Sequence, residues 1–299
     1  MSEDWDGLLP IDKPAGPTSH DLVARVRTAT GARRVGHTGT LDPPATGLLL
    51  LVLGRATRLA RFLPDAPKTY LGELALGVTT ATDDLAGEVV RRHDGPLPDL
   101  DAVRVAAAAG CGRRLQTPPA YSARHVDGKR LYRMARRGVA VEAPPSEVTV
   151  DRFDVAAGPT ADRFAYEIVV SAGTYVRAAV RDLGAVLGCG AAVATLRRTE
   201  IGPFDVSSAI VPPSSRGDLC DAVRRGLIPL DAMPLALPSL TLPSATQIAA
   251  FRAGRAVIAI EAEPPDARLI AVRDPHGKLL GIGTASGVEL KPRVVLADP

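Results

Sequence analysis

One stretch of the chain concentrates residues that could do chemistry on small-residue backbone: Gly36-His-Thr-Gly-Thr-Leu-Asp-Pro-Pro-Ala-Thr-Gly47. Glycines and turn formers let the main chain approach a ligand closely, while His37 and the Asp42 carboxylate stand out from it. Pro43 and Pro44 fix φ directly after Asp42 and remove two amide donors, so the carboxylate sits on a stiff support. Taken alone, an Asp-Pro aspartate commonly caps a turn, and a lone histidine is more often a structural hydrogen-bonder than a reactive group. The stretch lacks Gly-Lys-Ser/Thr, which excludes a P-loop. Three widely spaced cysteines (Cys111, Cys189, Cys220) and five scattered histidines exclude a disulfide framework and disfavour a structural metal.

The net charge of the 299 residues is only +3, but its distribution is uneven. Between Cys111 and Ala140 eight basic residues (Arg113, Arg114, Arg124, Lys129, Arg130, Arg133, Arg136, Arg137) face one acid, Asp127. Smaller clusters are Arg25, Arg27, Arg33 and Arg34, then Arg55, Arg58 and Arg61. Any one cluster reads as a solvated face; three in the first half fit a nucleic-acid footprint better. Tyr121 and Tyr132 lie inside the most basic segment, and aromatic faces interleaved with cations suit looped or single-stranded RNA.

The elements that must position these groups follow from periodicity. Gly7–Pro14 reads as a strand entering a Lys-Pro turn, and Ser19 as the N-cap of a helix to about Ala29, ended by Gly31. Arg33–Thr46 reads as a loop, and the aliphatic run Leu48–Leu53 as a buried strand or helix start. Tyr70–Leu76 suits a strand; Phe164, Tyr166, Ile168 and Val170 alternate along another. Through Gly173 that strand feeds a helix with Val176, Val180, Leu183 and Leu187 on one stripe. A helix near Asp218–Gly226 lies between Pro-rich segments. Past Leu240 come one short helix (Ser244–Arg252) and four short strands, two joined by Asp274-Pro-His-Gly, as a β-rich unit of about 60 residues. The expected division is therefore 1–237 and 238–299. Six aliphatic residues in a row are too few to cross a bilayer, and the acidic start is unlike a secretory signal, so a cytoplasmic protein with no membrane association is expected.

The string GHTGTLDPPATG resembles the signature of the TruB-type tRNA pseudouridine-55 synthases. Further stretches agree in order: Leu9-Pro-Ile-Asp-Lys-Pro14, Lys68-Thr-Tyr70, Pro119-Ala-Tyr-Ser-Ala123 with Gly128-Lys-Arg-Leu-Tyr132, and Gly173-Thr-Tyr-Val-Arg177 followed by Leu196-Arg-Arg198. The resemblance spans about residues 7 to 206. In Gly77-Val-Thr-Thr-Ala-Thr-Asp-Asp-Leu-Ala-Gly87, Ala81 replaces an acid common in such proteins, while Asp84 is kept.

The resemblance implies an α+β catalytic domain on a mixed, largely antiparallel sheet. A basic RNA-clasping insertion at about 111–145 and a small PUA-like RNA-binding unit at the end complete it. It implies cofactor-free, metal-free isomerisation of the uridine at tRNA position 55, in the T-stem-loop, by a monomer. Asp42 is then the nucleophile and Arg177 its ion-pair partner, keeping it charged. Tyr70 lies against the extruded base, where its hydroxyl could assist proton removal. Tyr175 and Leu196 line the same pocket, His37 enters the gap that the base leaves, and Lys13 counts among the substrate-binding residues. Like charges in the insertion imply mobility until phosphates neutralise them. Two other readings stand beside this one: a guide-RNA-dependent pseudouridine synthase, and an RNA-folding or RNA-binding module with secondary catalysis.

Overall fold

The computed structural model describes residues 5–119, 125–126, 129–130, 144–258 and 269–296. Most of the basic segment, with Tyr121 and Tyr132, therefore lies outside the described residues, as does the expected mobility of that segment. The chain runs β1 (Gly7–Lys13), α1 (Ser19–Thr30), β2 (Val35–His37), β3 (Thr46–Leu53), β4 (Lys68–Leu76), β5 (Val78–Thr80), β6 (Val89–Arg92) and α2 (Leu100–Ala109). There follow β7 (Gly112–Gln116), β8 (His125–Val126), β9 (Lys129–Arg130), β10 (Ser146–Ala157), β11 (Arg163–Val170), α3 (Val176–Val186), β12 (Ala191–Ile201), β13 (Phe204–Asp205) and α4 (Arg216–Gly226). The last part holds β14 (Ile228–Pro229), β15 (Ser239–Thr241), α5 (Ala245–Arg252), β16 (Val257–Ile258), β17 (Leu269–Arg273), β18 (Leu279–Ser286) and β19 (Glu289–Val295).

The main sheet is ordered β14-β1-β3-β12-β4-β11-β10-β7, with β2 added on β3 and β13 on β12. Its pairings are antiparallel except at one seam, where β3 and β12 run parallel through only Thr46–Arg197 and Gly47–Arg198. The mixed, largely antiparallel α+β class expected from the sequence is the one observed.

The run Leu48–Leu53 shows no alternation because β3 is buried on both faces. Leu49, Leu51 and Leu53 join the core under α1 and α3 with Leu22, Val26, Ile168 and Val180. Leu48, Leu50 and Val52 face the opposite core, with Phe62, Phe204, Ala271, Ile282 and Val294. That second core is shared with the five-stranded sheet β15-β17-β18-β19-β16, so the end of the chain packs against the back of β3. A strand covered on both sides loses the in-out pattern that a half-exposed strand keeps. By contrast β11, open on one side, alternates cleanly between buried and half-buried positions.

Two local readings change. Thr18, not Ser19, caps α1: its side chain accepts from the Asp21 amide, and Asp21 answers on the Thr18 amide in a capping box. Part of the expected Arg33–Thr46 loop is strand, because Val35–His37 finds the free side of β3 and pairs with Leu51–Leu53.

Candidate active site

The Asp42 segment leaves β2 and returns as β3, and its backbone is tethered from several directions. Ser19, freed from capping, is buried; its hydroxyl accepts from the Leu41 amide at 2.9 Å and lies 3.2 Å from the Leu41 carbonyl. The Ala45 amide donates to the Asp42 carbonyl, and the Gly16 amide to the Pro43 carbonyl. Beneath the loop, the Lys13 ammonium donates to the carbonyls of Pro14 (2.9 Å), Pro43 (3.1 Å) and Ala45 (2.7 Å). Lys13 is wholly buried and does not line the cavity. This corrects its reading as a substrate-binding residue: its three bonds make it a support for the loop. Burial lowers its pKa to about 8, against the opposing pull of Asp42 and Asp21.

Gly47 closes the segment at φ 102°, where a Cβ would lie 2.1 Å from the Arg198 carbonyl oxygen. Only glycine permits this approach of β3 to β12. Arg198 is buried and reaches back across the seam. Its Nε donates to the Leu48 carbonyl at 2.7 Å and its Nη2 to the Gly39 carbonyl at 3.2 Å, while Nη1 lies 3.5 Å from the Tyr70 hydroxyl.

These elements enclose a cavity of about 380 Å³. Asp42, Tyr70, Tyr175, Arg177 and Leu196 all line it, together with Lys68 and Arg198. Five of the residues singled out from sequence thus meet at one opening. His37 does not line it: it sits at the end of β2, opposite Leu51, with a buried Nδ1 lacking a partner among the described residues. Burial, then the charges of His20 and Arg198, lower its pKa, favouring neutral imidazole.

Asp42 Oδ2 lies 2.9 Å from Arg177 Nε; the Arg177 side chain is 5% exposed and that of Asp42 is 34% exposed, opening into the cavity. Arg177 also donates from Nη1 to the Thr82 carbonyl at 2.6 Å and lies 3.7 Å from Asp84 Oδ2. Asp84 is itself held, its Oδ1 accepting from the Thr82 hydroxyl and the Ala86 amide. The departure at Ala81 leaves this arrangement intact: Ala81 is exposed and its amide bonds to the Glu88 carbonyl. Neighbouring Asp83, at φ 60°, pairs instead with Arg181 at 3.1 Å.

Arg177 pulls the Asp42 pKa down, by its charge and by its hydrogen bond, as an ion-pair partner should, but it does not prevail. The net shift is upward: burial outweighs Arg177, and the nearby Asp84 adds to the rise. Arg177 orients the carboxylate and offsets part of the desolvation cost.

Gln116 carried no sequence signal. Buried at the end of β7, it accepts from the Tyr175 amide at 2.8 Å and donates to the Tyr175 carbonyl at 3.1 Å, fixing the turn that delivers Tyr175 and Arg177. Its site is marked only by residues far away in the chain.

Among the described residues no helix is long and apolar enough to cross a membrane. The profile described as "TruB family pseudouridylate synthase (N terminal domain)" matches residues 27–176, and that of the "tRNA pseudouridylate synthase B C-terminal domain" matches residues 177–212. A tRNA pseudouridine synthase B of Synechococcus sp. is 40% identical over 296 residues, 98% of each chain. That of Mycobacterium avium is 47% identical over 207 residues, 68% of this chain and 67% of its own. In fold, the chain is similar to Cbf5 in a crystal structure of a Cbf5-Nop10-Gar1 complex, at a TM-score of 0.70 and 24% identity, covering 98% of this chain and 85% of that one. With relatives of this identity along nearly its whole length, and with its aspartate and arginine paired at a nucleotide-sized opening, the chain belongs to the TruB family of pseudouridylate synthases.

Proposed function

We propose that the chain converts the uridine at position 55, in the T loop of tRNA, to pseudouridine, with Asp42 as the nucleophile. The observation that carries this reading is the Asp42–Arg177 pair at 2.9 Å, with the carboxylate open to a cavity walled by Tyr70, Tyr175 and Leu196. The target uridine must leave its stack to enter. Extrusion costs a few kcal/mol, and stacking against an aromatic face returns about 1–3 kcal/mol. Tyr70 offers that face, steadied by Arg198, whose guanidinium carbon is 5.9 Å from the ring centroid.

Asp42 forms a transient covalent bond to the nucleotide as the N1–C1′ bond breaks. The freed uracil turns, C5 bonds to C1′, the Asp42 bond is released, the C5 proton leaves, with the Tyr70 hydroxyl at hand to guide it, and N1 takes up a proton in its place. Atoms balance without a cofactor or metal, as an isomerisation requires. His37 fills the space that the extruded base vacates. The basic segment 111–145 clasps the RNA, and the β-rich end, 238–299, serves as a PUA-like RNA-binding unit. A monomeric, cytoplasmic, stand-alone enzyme is the form this takes. The stand-alone form is supported by 40% identity along 98% of the chain to a tRNA pseudouridine synthase B, against 24% to Cbf5, a likeness of fold alone.

The test is Asp42→Asn with a tRNA transcript. Mapping of modified uridines is expected to show position 55 converted by the wild type and untouched by the variant, while tRNA binding persists. Conversion by the variant at the wild-type rate would remove Asp42 from the reaction. Full RNA-folding activity in a wild type that makes no pseudouridine would favour the folding-module reading.

A further inference from the structure

Thr82, Asp83 and Asp84 are consecutive, and they meet two arginines that stand one turn apart on α3, Arg177 and Arg181. The Thr82 carbonyl and the Asp84 carboxylate both face Arg177. Between them the Asp83 carboxylate accepts from Arg181 Nη1 at 3.1 Å. The turn makes this division with Asp83 at φ 60°, the single positive φ of a non-glycine among the described residues. Residues with a side chain rarely adopt that region, and aspartate is among those that tolerate it best. On one side the turn is pinned to β12: the Val193 amide donates to the Asp83 carbonyl at 3.0 Å, and the Leu85 amide to the Val193 carbonyl at 2.8 Å. On the other side it is pinned by Arg181.

Arg181 joins further segments with the same guanidinium. Its Nη2 donates to the Thr117 carbonyl at 3.0 Å and to Asp182 Oδ1 at 2.9 Å, and its Nε to that same oxygen at 3.1 Å. Thr117 follows Gln116, whose side chain holds the Tyr175 backbone. The chain at the end of β7 is thus bonded to α3 on either side of Arg177, at Tyr175 and at Arg181. Neither Asp83 nor Arg181 lines the reactive cavity, and their side chains are 12% and 28% exposed. Burial raises the Asp83 pKa, with Arg181 and then Arg177 opposing the rise. A desolvated carboxylate on a left-handed residue is costly, and such cost gathers where geometry must be exact.

Resting on the reading of Asp42 as the nucleophile, we propose that Arg181 and Asp83 are a positioning pair for the reaction: they fix the Thr82–Asp84 turn against α3, and the turn sets the angle at which the Arg177 guanidinium meets Asp42. Neither residue touches the nucleotide. Arg177 presents Nε to Asp42 while its Nη1 is held by the turn, so a turn that slips rotates the guanidinium off the carboxylate.

The test is single-turnover conversion of a tRNA transcript by the full chain, reading the limiting rate and the half-saturating concentration separately. Arg181→Met and Asp83→Gly should each lower the limiting rate about tenfold and leave the half-saturating concentration within about twofold, because the cavity walls are untouched. Asp83→Asn tolerates the same φ and keeps an acceptor for Arg181, so it should stay within about threefold of the wild-type rate. Combining Arg181→Met with Asp83→Gly should cost no more than the worse single change, and combining it with Asp84→Ala should cost less than the product of the two. Asp83→Gly removes only the carboxylate and leaves the backbone at ease, so its result stands even where Arg181→Met is too unstable to assay. A limiting rate within about threefold of wild type for Asp83→Gly, a penalty confined to half-saturation, or losses that multiply fully with Asp84→Ala overturn the inference while leaving the nucleophile standing. Conversion by Asp42→Asn at the wild-type rate would instead remove the reading on which it rests.

Discussion

Replacing Lys13 by Met separates what holds the active loop from what holds the protein. The ammonium donates to three carbonyls, of Pro14, Pro43 and Ala45, and only the bond to Ala45 is fully buried. Leaving these acceptors unpaired costs about 3 kcal/mol in all, most of it at Ala45. Against this stands the cost of burying the charge: the fall of the Lys13 pKa from 10.5 to about 8 corresponds to about 3 kcal/mol. The two nearly cancel, so urea denaturation at pH 7 should place Lys13→Met within about 1 kcal/mol of wild type. The loop does not share in that cancellation. Its tethers worth about 3 kcal/mol are lost, and turnover should fall about 100-fold, the loss expected when a reacting group drifts by about 1 Å. Single-turnover conversion of a tRNA transcript reads this directly. The pH dependence has a fixed sign: between about 8 and 10.5 the unfolded chain keeps the proton that native Lys13 has released. Wild-type stability should therefore rise across that window relative to Lys13→Met. Single-turnover rates within threefold of wild type would refute the role of Lys13 as a loop support.

Two further substitutions probe the walls of the site. Gly47→Ala places a Cβ 2.1 Å from the Arg198 carbonyl oxygen at a φ of 102°, and should cost about 3 kcal/mol or more by urea denaturation, with activity lost because Arg198 is displaced. Gln116→Leu removes both bonds to the Tyr175 backbone and should cost about 2 kcal/mol while raising KM for tRNA, measured by initial rates; an unchanged KM would show that the Tyr175 turn holds itself.

What could be read from the sequence was what repeats locally. The period-two pattern of β11 and the stripe of α3 depend on burial of one face, and both elements appear where they were expected. The run at β3 was ambiguous because the end of the chain covers its second face, a fact carried by Ile282 and Val294 rather than by β3 itself. Ser19 illustrates the same limit at one residue: its type suits an N-cap, but Thr18 takes that place and Ser19 holds Leu41 instead. The cluster of Asp42, Tyr70, Tyr175, Arg177 and Leu196 was named through a family signature, since nothing in local pattern brings Arg177 beside Asp42. Lys13 was named with the wrong role and Gln116 was missed, because each acts through backbone atoms contributed by distant segments. Such bonds leave no period and no spacing.

The electrostatics at the centre of the site lead to the sharpest expectation. Two carboxylates, Asp42 and Asp84, approach one guanidinium from two sides, at 2.9 Å and 3.7 Å. Burial and Asp84 raise the Asp42 pKa, while Arg177 and, more weakly, Lys13 lower it. A nucleophilic carboxylate must be ionised, so the acid limb of the rate profile should lie above the pH at which a free aspartate titrates, about 3.9. Removing the guanidinium leaves the two acids facing each other across a desolvated space, where one is driven to keep its proton. Arg177→Met should therefore move the acid limb upward by about 1–3 pH units as well as lowering the plateau. Arg177→Lys retains a cation and should return most of the shift without restoring the full rate, because an ammonium cannot donate in the fixed fork that reaches Asp42 and Thr82 together. A single-turnover pH profile distinguishes the outcomes. If Arg177→Met lowers the plateau with the limb unmoved, Arg177 acts by geometry alone. Ionisation of Asp42 is then governed by its exposure to the cavity rather than by the pair.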